Sequence, residues 1–344
     1  MLATLHITNF RAFREFRVEK LARVNLFVGT NNAGKTCVLD AVEIFASGGK
    51  PLVLIRGATR RGEVSRGDMD TAIELRHLFH GHEFAPDNHF SVQAGVEQFV
   101  TVRFVHASSQ DLSTETGSPL KLQISSHRSK ELTLNVSPSG AITDKDRRRL
   151  LFDTGAKSDR LVQFLGTGIF DPNRLGEHWD EIVLTPEEGR VLDALRIIEP
   201  RIERIAFGHG GARGSFFLKL SDWPERVPLG SMGDGIKRLL GISLHLARSA
   251  GGVLLVDEID TGLHYSVMVK MWRLVVESAK RLDVQVFATT HSLDCINALA
   301  ELYEKSPELG PEVLLHRIER GQGTAMTYTA DELRIAAEQH MEVR

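Results

Sequence analysis

Cysteines and long apolar runs are largely missing from this sequence. Its 344 residues include two cysteines, Cys37 and Cys295, which are far apart and form no CxxC pair. This scarcity excludes a disulfide framework and argues against a structural zinc site. No segment approaches the ~20 apolar residues of a membrane span, and the opening MLATLHITNFRAF carries charge too early for a signal peptide. We therefore expect a cytoplasmic protein with no membrane partner.

A charge imbalance and regular repeats are also missing. The 42 Lys and Arg residues nearly balance the 45 Asp and Glu residues, for a formal net charge of -3. Overall electrostatics therefore does not predict binding to nucleic acid or to a membrane surface. The sequence contains no heptad array, fixed-period repeat or low-complexity tract. With 42% hydrophobic and 25% charged residues, it is typical of a globular protein with one large or two ordinary domains.

Hydrophobic periodicity divides the chain into three stretches. LATLHITNF and RVNLFVG have strand patterns, and KTCVLDAVEIFA, which begins at Lys35, has helical spacing. Residues 61–179 contain short alternating runs between polar turns, and strands alternate with helices again from residue 180. Because such alternation is typical of covered parallel sheets, we predict an α/β fold with a mostly parallel sheet and flanking helices. Residues 1–60 and 180–344 would form one discontinuous domain, with residues 61–179 as an inserted β-rich lobe.

A phosphate-binding loop is the most specific motif. Residues 29–36 read GTNNAGKT, a match to G-x-x-x-x-G-K-[ST] between a predicted strand and a predicted helix. In such a loop, backbone N–H groups surround a phosphate, the lysine reaches the β and γ oxygens, and the hydroxyl residue ligates magnesium. The predicted nucleotide contacts are Gly29, Asn31, Asn32, Ala33, Gly34, Lys35, Thr36 and Cys37. Thr36 is also a predicted magnesium ligand.

Two later strands end in polar residues that suit the same site. GGVLLVDEID closes an apolar strand with Asp257 and Glu258, a Walker B arrangement in which Asp257 would hold magnesium and Glu258 would polarise the attacking water. Acidic residues also end many buried strands, so the motif gains meaning from the phosphate loop before it. VFATTHS ends the next strand and places His291 beside the same crevice, where it would contact the γ-phosphate or serve only as a structural histidine.

The order of these motifs resembles the head of ABC-type ATPases. A second glycine-rich turn, GSMGDG at residues 230–235, stands where that family has its LSGGQ-like signature. Ser231 and Gly233 match the signature serine and second glycine, whereas Met232 and Asp234 depart from the consensus. The opening LHITNFRAFREF is similar to the RecF, SMC, Rad50 and OLD branch. Within that branch, the segments LTPEE, RIIEPRIERI and GDGIKRLL resemble the bacterial AAA15/AAA21-type "AAA family ATPase" group.

The resemblance implies a P-loop NTPase of ABC-ATPase type that binds ATP with Mg²⁺. ATP would be hydrolysed at composite sites of a head-to-head homodimer. Lys35 would hold the phosphates, Glu258 would orient water and His291 would sense the γ-phosphate. Ser231 and Gly233 would close over that phosphate from the opposing subunit. The Asp234 side chain is expected to point away from the triphosphate, because a carboxylate would repel it.

The biological role implied by the resemblance is a regulatory ATPase subunit of an anti-phage defence or DNA-maintenance system with a separately encoded effector. The long heptad segments of SMC and Rad50 relatives are not present, and neither is the Toprim domain that follows the head in OLD nucleases. We therefore expect no intrinsic nuclease activity. Two alternatives stay open: a nucleotide switch that restrains a partner without hydrolysis, and a RecF-like DNA-repair clamp.

Two basic clusters are candidate contacts for nucleic-acid phosphates. One consists of Lys145, Arg147, Arg148 and Arg149, and the other of Arg56, Arg60 and Arg61. Neither cluster is interleaved with aromatic residues that could stack on bases, so solvated faces or partner-binding surfaces are the favoured interpretation of both. Gln93 is a candidate for the Q-loop glutamine of the family.

Overall fold

The strands and helices come from a computed structural model that describes residues 1–66, 71–107, 118–137, 140–142, 161–168, 171–209, 214–339 and 343. In chain order the strands are β1 (Leu5–Phe10), β2 (Phe13–Val18), β3 (Val24–Val28), β4 (Val64–Arg66), β5 (Thr71–Glu74), β6 (His89–Ala94), β7 (Gln98–His106), β8 (Leu120–Ser126), β9 (Ser129–Asn135), β10 (Ala141–Ile142), β11 (Val162–Leu165), β12 (Ile202–His209), β13 (Gly214–Leu220), β14 (Arg226–Pro228), β15 (Val253–Val256), β16 (Gln285–Thr289), β17 (Val313–Arg317) and β18 (Met326–Tyr328). The helices are α1 (Lys35–Ala46), α2 (Pro51–Arg60), α3 (Pro172–Ile182), α4 (Pro186–Arg196), α5 (Asp234–Arg248), α6 (Tyr265–Arg281), α7 (Leu293–Lys305) and α8 (Ala330–Glu338).

One large sheet is parallel apart from its last strand. Its order is β11-β15-β16-β3-β17-β18, and only β18 runs antiparallel to its neighbour. Every residue of β3, β15 and β16 is buried. Strands covered on both faces become apolar throughout, and this confirms the buried strands predicted from the runs before Asp257 and His291.

The second large sheet is antiparallel, and it corrects the prediction of a mostly parallel sheet. Its order is β2-β1-β6-β7-β8-β9. The connections β1–β2, β6–β7 and β8–β9 have only two or three residues and therefore allow only antiparallel pairing, since a parallel neighbour needs a long crossover. Together with two smaller antiparallel sheets, β10-β5-β4 and β12-β13-β14, the fold is a mixed α/β architecture.

The stretch from residue 61 to residue 179 contributes strands to both large sheets. Strands β6 to β9 lie within it, as the alternating runs predicted, and β6 pairs directly with β1. Strand β11, from the same stretch, pairs in parallel with β15. The division into a discontinuous head and an inserted lobe stays a prediction. The strand pairs β1–β6 and β11–β15 join the predicted lobe to the predicted head by hydrogen bonds.

Helix α1 lies between the two large sheets. It contacts β1, β6 and β7 on one side and β11, β15 and β16 on the other. Phe27, Leu255 and Phe287 of the parallel sheet pack into this shared core, and the alternate residues of the same strands face α5, α6 and α7. The N-terminus of α1 is thereby fixed beside the carboxyl ends of β3, β15 and β16. Within the described ranges, no helix is both long enough and apolar enough to cross a bilayer.

Candidate functional site

The first glycine-rich turn joins β3 to α1 and is tightly enclosed by its own chain. Gly29 has φ +145°, and a Cβ atom there would lie 2.4 Å from the carbonyl oxygen of Ile318. Gly34 has φ +105°, and its Cβ atom would lie 2.5 Å from the ring of Phe13. Only glycine combines these backbone angles with such close approach. The turn therefore leaves the N–H groups at the start of α1 oriented as an anion-binding cradle.

Lys35 occupies the interior of this turn. Its Nζ atom donates hydrogen bonds to the carbonyl oxygens of Gly29 (2.8 Å) and Thr30 (3.0 Å). Burial lowers the pKa of the Lys35 ammonium group, and the nearby carboxylates of Glu258 and Asp257 oppose that shift. The cation is thus held where a phosphate group could take over the role of the two carbonyl oxygens.

Three elements converge on the carboxylate of Asp257, which directly follows β15. The hydroxyl of Thr36 at the start of α1 lies 3.1 and 3.2 Å from its two oxygens, and the hydroxyl of Thr289 at the end of β16 donates to Oδ1 at 2.6 Å. Hydroxyl and carboxylate oxygens are the ligands that Mg²⁺ prefers. The side chains of Thr36 and Asp257 therefore fit a magnesium site, although they hydrogen-bond to each other in this structure.

The backbone leaves the extended conformation of β15 at Glu258, the residue after Asp257. Its φ of +47° lies in the left-handed region, which few residues other than glycine adopt. Its N–H group donates to the Thr289 hydroxyl (2.8 Å), and its carbonyl oxygen accepts from Thr261. The strained turn brings the carboxylate to the same edge of the sheet as Asp257, with Oε1 3.4 Å from Nδ1 of His291.

Arg238 of α5 supports this turn, a role that no sequence pattern indicated. Its guanidinium group donates to the carbonyl oxygens of Asp257 (2.7 Å), Glu258 (2.7 Å), Gly166 (2.9 Å) and Ile259 (3.3 Å). Burial lowers the pKa of Arg238 to about 10, against the opposing charges of nearby carboxylates. Helix α5 is therefore tied directly to the backbone that carries both acidic residues.

The second glycine-rich turn begins α5 and is open to solvent. Ser231 and Gly233 are both exposed, and Gly233 has φ +86° at the helix N-cap. A Cβ atom at Gly230 or at Gly233 would meet nothing within 4 Å. Within the described part of the chain, Ser231 makes no side-chain hydrogen bond. Asp234 pairs with Lys237, 2.9 Å away, on the outer surface of the helix.

A cavity of about 980 Å³ adjoins the first turn. Its wall includes Asn32, Ala33 and Cys37 from the first turn and α1, together with Arg11 from the β1–β2 connection and Phe13 at the start of β2. Four histidines also line it: His77, His80, His82 and His89. Sequence patterns did not indicate these histidines, because they are scattered along connections and a strand edge that only the fold brings together.

The structure brings together most of the predicted site residues, but not all. Lys35, Thr36, Asp257, Glu258 and His291 meet at the carboxyl edge of the parallel sheet, whereas Ser231 and Gly233 have no hydrogen bond to any of them among the described residues. Their catalytic and binding roles stay predictions. Gln93 lies on β6 in the antiparallel sheet, where it is the pairing partner of His6 on β1. It is only partly buried, between the buried residues Val92 and Ala94. This position does not support a Q-loop role.

Of the two basic clusters, the structure describes only the one at Arg56, Arg60 and Arg61. Lys145, Arg147, Arg148 and Arg149 lie outside the described residues. Arg60 and Arg61 form internal ion pairs with Asp40 of α1, and Arg60 also pairs with Glu43. Their charges are thus neutralised within the chain, while Arg56 is exposed.

Comparison with known families gives two matches, one to the N-terminal part of the chain and one to a later part. Residues 1–135 match the family described as "AAA ATPase domain". Residues 174–296 match the family described as "AAA domain, putative AbiEii toxin, Type IV TA system". The first match contains the first glycine-rich turn, and the second contains the second glycine-rich turn, Asp257, Glu258 and His291.

Similar proteins and structures agree with these matches. The chain is 21% identical to an ATP/GTP phosphatase of Helicobacter pylori over 332 residues, which cover 88% of each protein. It is 32% identical to the DNA replication and repair protein RecF of Rippkaea orientalis over 129 residues, 34% of this chain and 33% of RecF. The Smc head domain bound to the C-terminal domain of ScpA, derived from Pyrococcus furiosus, is a structural neighbour with a TM-score of 0.52 and 11% identity, covering 98% of this chain and 99% of that one. At that identity the likeness concerns the fold alone.

Proposed function

We propose that this chain is an ABC-type ATPase head similar to those of the RecF/SMC branch, and that it binds ATP with Mg²⁺ and hydrolyses it. One observation carries the proposal. The hydroxyl of Thr36, the carboxylates of Asp257 and Glu258 and the imidazole of His291 converge beside the cradle that holds Lys35. This is the set of groups that phosphoryl transfer to water requires.

Each residue has a distinct task in the proposed reaction. Lys35 and the N–H groups of residues 32–37 bind the phosphate oxygens, so Lys35 exchanges its carbonyl partners for phosphate. Thr36 and Asp257 would hold Mg²⁺, whose charge offsets that of the phosphates when it is bound. Glu258 orients the attacking water and accepts its proton, because its carboxylate stands at the sheet edge and is 40% exposed. His291 adds a hydrogen bond to the γ-phosphate.

The cavity next to the phosphate loop would take the nucleoside. It begins at Asn32 and Ala33, so a nucleotide with its phosphates in the cradle would extend along this wall. The guanidinium of Arg11 is held by Glu63 and Asp40 at the inner end. Polar side chains in the cavity wall, such as Arg11, Asn32 and His80, suit a ribose and a base that is recognised partly through hydrogen bonds.

The open second turn supports a head-to-head dimer. Ser231 and the exposed N-terminus of α5 offer a hydroxyl and backbone N–H groups, which suit a γ-phosphate held by another subunit. The space around Gly230 and Gly233 leaves room for that approach. Two such composite sites would couple ATP binding to closure and hydrolysis to reopening.

For the biological role, we propose a regulatory ATPase subunit that controls a separately encoded effector. The description of the family matched by residues 174–296 refers to a toxin of a toxin–antitoxin system, which favours a defence function. The similarity to RecF favours DNA maintenance as the second candidate. A DNA-stimulated rate of ATP hydrolysis that declines steeply with salt would select the second.

The test of the central proposal is steady-state phosphate release by the wild-type chain and by Glu258→Gln. We expect magnesium-dependent hydrolysis that falls by two to three orders of magnitude, roughly the value of a catalytic base, in Glu258→Gln, while ATP binding persists. Glu277→Gln on the exposed face of α6 is the matched control and should retain full activity. Wild-type turnover no higher than that of Glu258→Gln would instead indicate a nucleotide switch that restrains its partner without hydrolysis.

A further inference from the structure

Four histidines line the cavity beside the phosphate loop, and none of them has a catalytic task in the proposed reaction. This histidine set consists of His77, His80, His82 and His89. A neutral imidazole has one N–H group and one nitrogen lone pair, so the partner of one ring nitrogen fixes what the other nitrogen presents. The hydrogen bonds within the chain therefore determine what these rings offer to a molecule in the cavity.

Backbone carbonyl oxygens fix the rings of His80 and His89. Nδ1 of His80 lies 2.8 Å from the carbonyl oxygen of Arg11, and Nδ1 of His89 lies 3.1 Å from that of Asp87. A carbonyl oxygen only accepts, so Nδ1 carries the proton in both rings and donates it. In the neutral form of each ring, the Nε2 atom is therefore left with its lone pair and can only accept.

The other two histidines bind to each other. Nε2 of His77 donates to the carboxylate of Glu74 (3.1 Å), which leaves Nδ1 of the neutral ring as an acceptor. Nδ1 of His82 lies 3.2 Å from that atom and donates to it, so Nε2 of His82 keeps a lone pair. Within the described residues, the ring nitrogens that the chain leaves without a partner in His80, His82 and His89 are thus all acceptors in the neutral state.

Imidazole lone pairs in one cavity could serve a metal ion or a ligand that donates hydrogen bonds. A metal ion must have several ligand atoms within about 2 Å. The part of the chain that the structure describes contains no group of three or more His, Cys, Asp or Glu side chains that could hold one. A donor ligand has no such requirement, because each of its N–H groups needs only one acceptor. The histidine set therefore favours an amino group over a metal ion.

His80 is the member of the set that adjoins the phosphate loop through the turn between β1 and β2. Its partner Arg11 lies in that turn, and Phe13 follows the turn at the start of β2. The ring of Phe13 packs so closely on Gly34 of the loop that a Cβ atom there would lie 2.5 Å from it. His80 is also less exposed than the other two histidines with a free acceptor. A base that extends from the loop along this turn meets His80.

We propose that His80 determines the base specificity of the nucleotide site, because its Nε2 atom accepts a hydrogen bond from the exocyclic amino group of adenine. This inference rests on the proposed binding of ATP. Adenine carries an amino donor at purine position 6, where guanine carries a carbonyl oxygen that only accepts. A 6-oxo base would place one acceptor against another and would leave the His80 lone pair unpaired. His80 thus selects the base and takes no part in the chemical step.

The test compares triphosphates that differ at purine position 6, titrated by calorimetry with Mg²⁺ against the full chain carrying Glu258→Gln, so that hydrolysis does not interfere. ATP has an amino group at this position, purine riboside triphosphate has a hydrogen atom, and inosine triphosphate has a carbonyl oxygen. We expect ATP to bind roughly tenfold more tightly than purine riboside triphosphate, the value of one hydrogen bond, and inosine triphosphate to bind no better than the latter. This comparison changes only the ligand, so it does not depend on the folding of a variant.

His80→Phe in the same background removes the acceptor and keeps an aromatic ring. It should bind the three triphosphates with equal affinity, whereas a folding defect would weaken all three together and leave their ratio unchanged. His106→Phe, at an exposed position on β7, is the matched control and should keep the preference for ATP. An unchanged preference in His80→Phe would overturn the assignment, and so would equal binding of ATP and purine riboside triphosphate when His80 is present. Failure of all three to bind would overturn the proposed ATPase function as well.

Discussion

The two glycine-rich turns of this molecule begin helices in the same way but have opposite surroundings. At Gly29 and Gly34, an added Cβ atom would collide with Ile318 and Phe13 of the same chain. At Gly230 and Gly233, it would meet empty space. Lys35 in the first turn is buried against its own loop, whereas Ser231 in the second is exposed.

This difference shows that glycine serves two purposes here. In the first turn it permits close packing that shapes a cradle within one chain. In the second it provides only a backbone conformation, since Gly233 has φ +86° with open space around it. A turn with a defined backbone conformation and open space around it fits our proposal that a second subunit binds there. Substitutions at the two turns test this difference.

Ser231→Arg should have the largest effect, because it fills the open space at the second turn and leaves the first turn intact. We expect unchanged ATP binding to the monomer and complete loss of ATP-induced dimerisation, with hydrolysis reduced by at least two orders of magnitude, roughly the loss expected when a composite site cannot assemble. Sedimentation in the Glu258→Gln background, where ATP persists, measures the dimer directly.

Ser221→Arg provides the control for Ser231→Arg. Ser221 is also exposed and lies between β13 and β14, the strands that lead to the second turn. This variant should still dimerise with ATP. Dimerisation of Ser231→Arg to the wild-type extent would show that the second turn is only the beginning of a helix.

Arg238→Gln should come next, because it cuts the link between the second turn's helix and the acidic residues of the first site. Several buried carbonyl oxygens would lose their donor, which should lower the free energy of unfolding by about 3 kcal/mol. Since Asp257 and Glu258 would lose their fixed backbone, kcat should fall more than KM rises. Urea unfolding and steady-state kinetics measure both effects, and Arg238→Lys should restore part of the stability but little of kcat.

An Arg238→Gln protein with the stability of the wild type would mean that water replaces the guanidinium group without cost. The idea of a rigid link would then be wrong. If kcat and KM changed in equal proportion, Arg238 would affect nucleotide binding rather than the position of Glu258.

Local motifs allowed the first turn to be predicted in more detail than the second. GTNNAGKT specified a strand, a loop and the start of α1 at Lys35, all of which the structure contains. The helix caps have the same local origin: the Thr185 side chain accepts from the N–H group of Glu187 at the start of α4, and Thr329 forms a capping box with Glu332 at the start of α8. Such features depend on neighbouring residues and are therefore visible in sequence.

Other features arise only from tertiary contacts, and the sequence did not reveal them. FREFRV carries three charged residues among six, yet it forms β2, an edge strand whose charged side chains are exposed. Arg60 and Arg61 had the pattern of a basic patch, but carboxylates on α1 neutralise them. Arg238 has the sequence context of a surface residue on an amphipathic helix and is buried only because the Asp257–Ile259 backbone passes over it.

Acidification should produce the smallest effect among these tests, a partial loss of stability. It should affect α5, which follows the second turn, before α1, which follows the first. His178 of α3 and His245 of α5 are in edge-to-face contact, with ring centroids 4.7 Å apart. Burial lowers their pKa values to about 3 and about 4, and the adjacent positive charges contribute. Both histidines are therefore neutral in the folded protein, while in the unfolded chain they gain protons as the pH falls below about 6.5.

Because the unfolded state binds more protons, the folded state loses stability as the pH falls from about 6.5 towards 4. At pH 5 the loss should be about 2 kcal/mol for each of the two histidines. His316 on β17 also has a pKa lowered to about 3 by burial, so His178→Phe is needed to isolate the pair. This variant removes one titrating group whose Nδ1 atom makes no hydrogen bond among the described residues.

His178→Phe should match the wild type at pH 7 and lose about 2 kcal/mol less on transfer to pH 5, as measured by urea unfolding. Hydrogen exchange should show α5 losing protection at pH 5 before α1, because the histidine pair packs against the helix of the open turn and not against that of the closed one. An identical decline in His178→Phe, or α1 opening first, would contradict this link between buried histidines and the second turn.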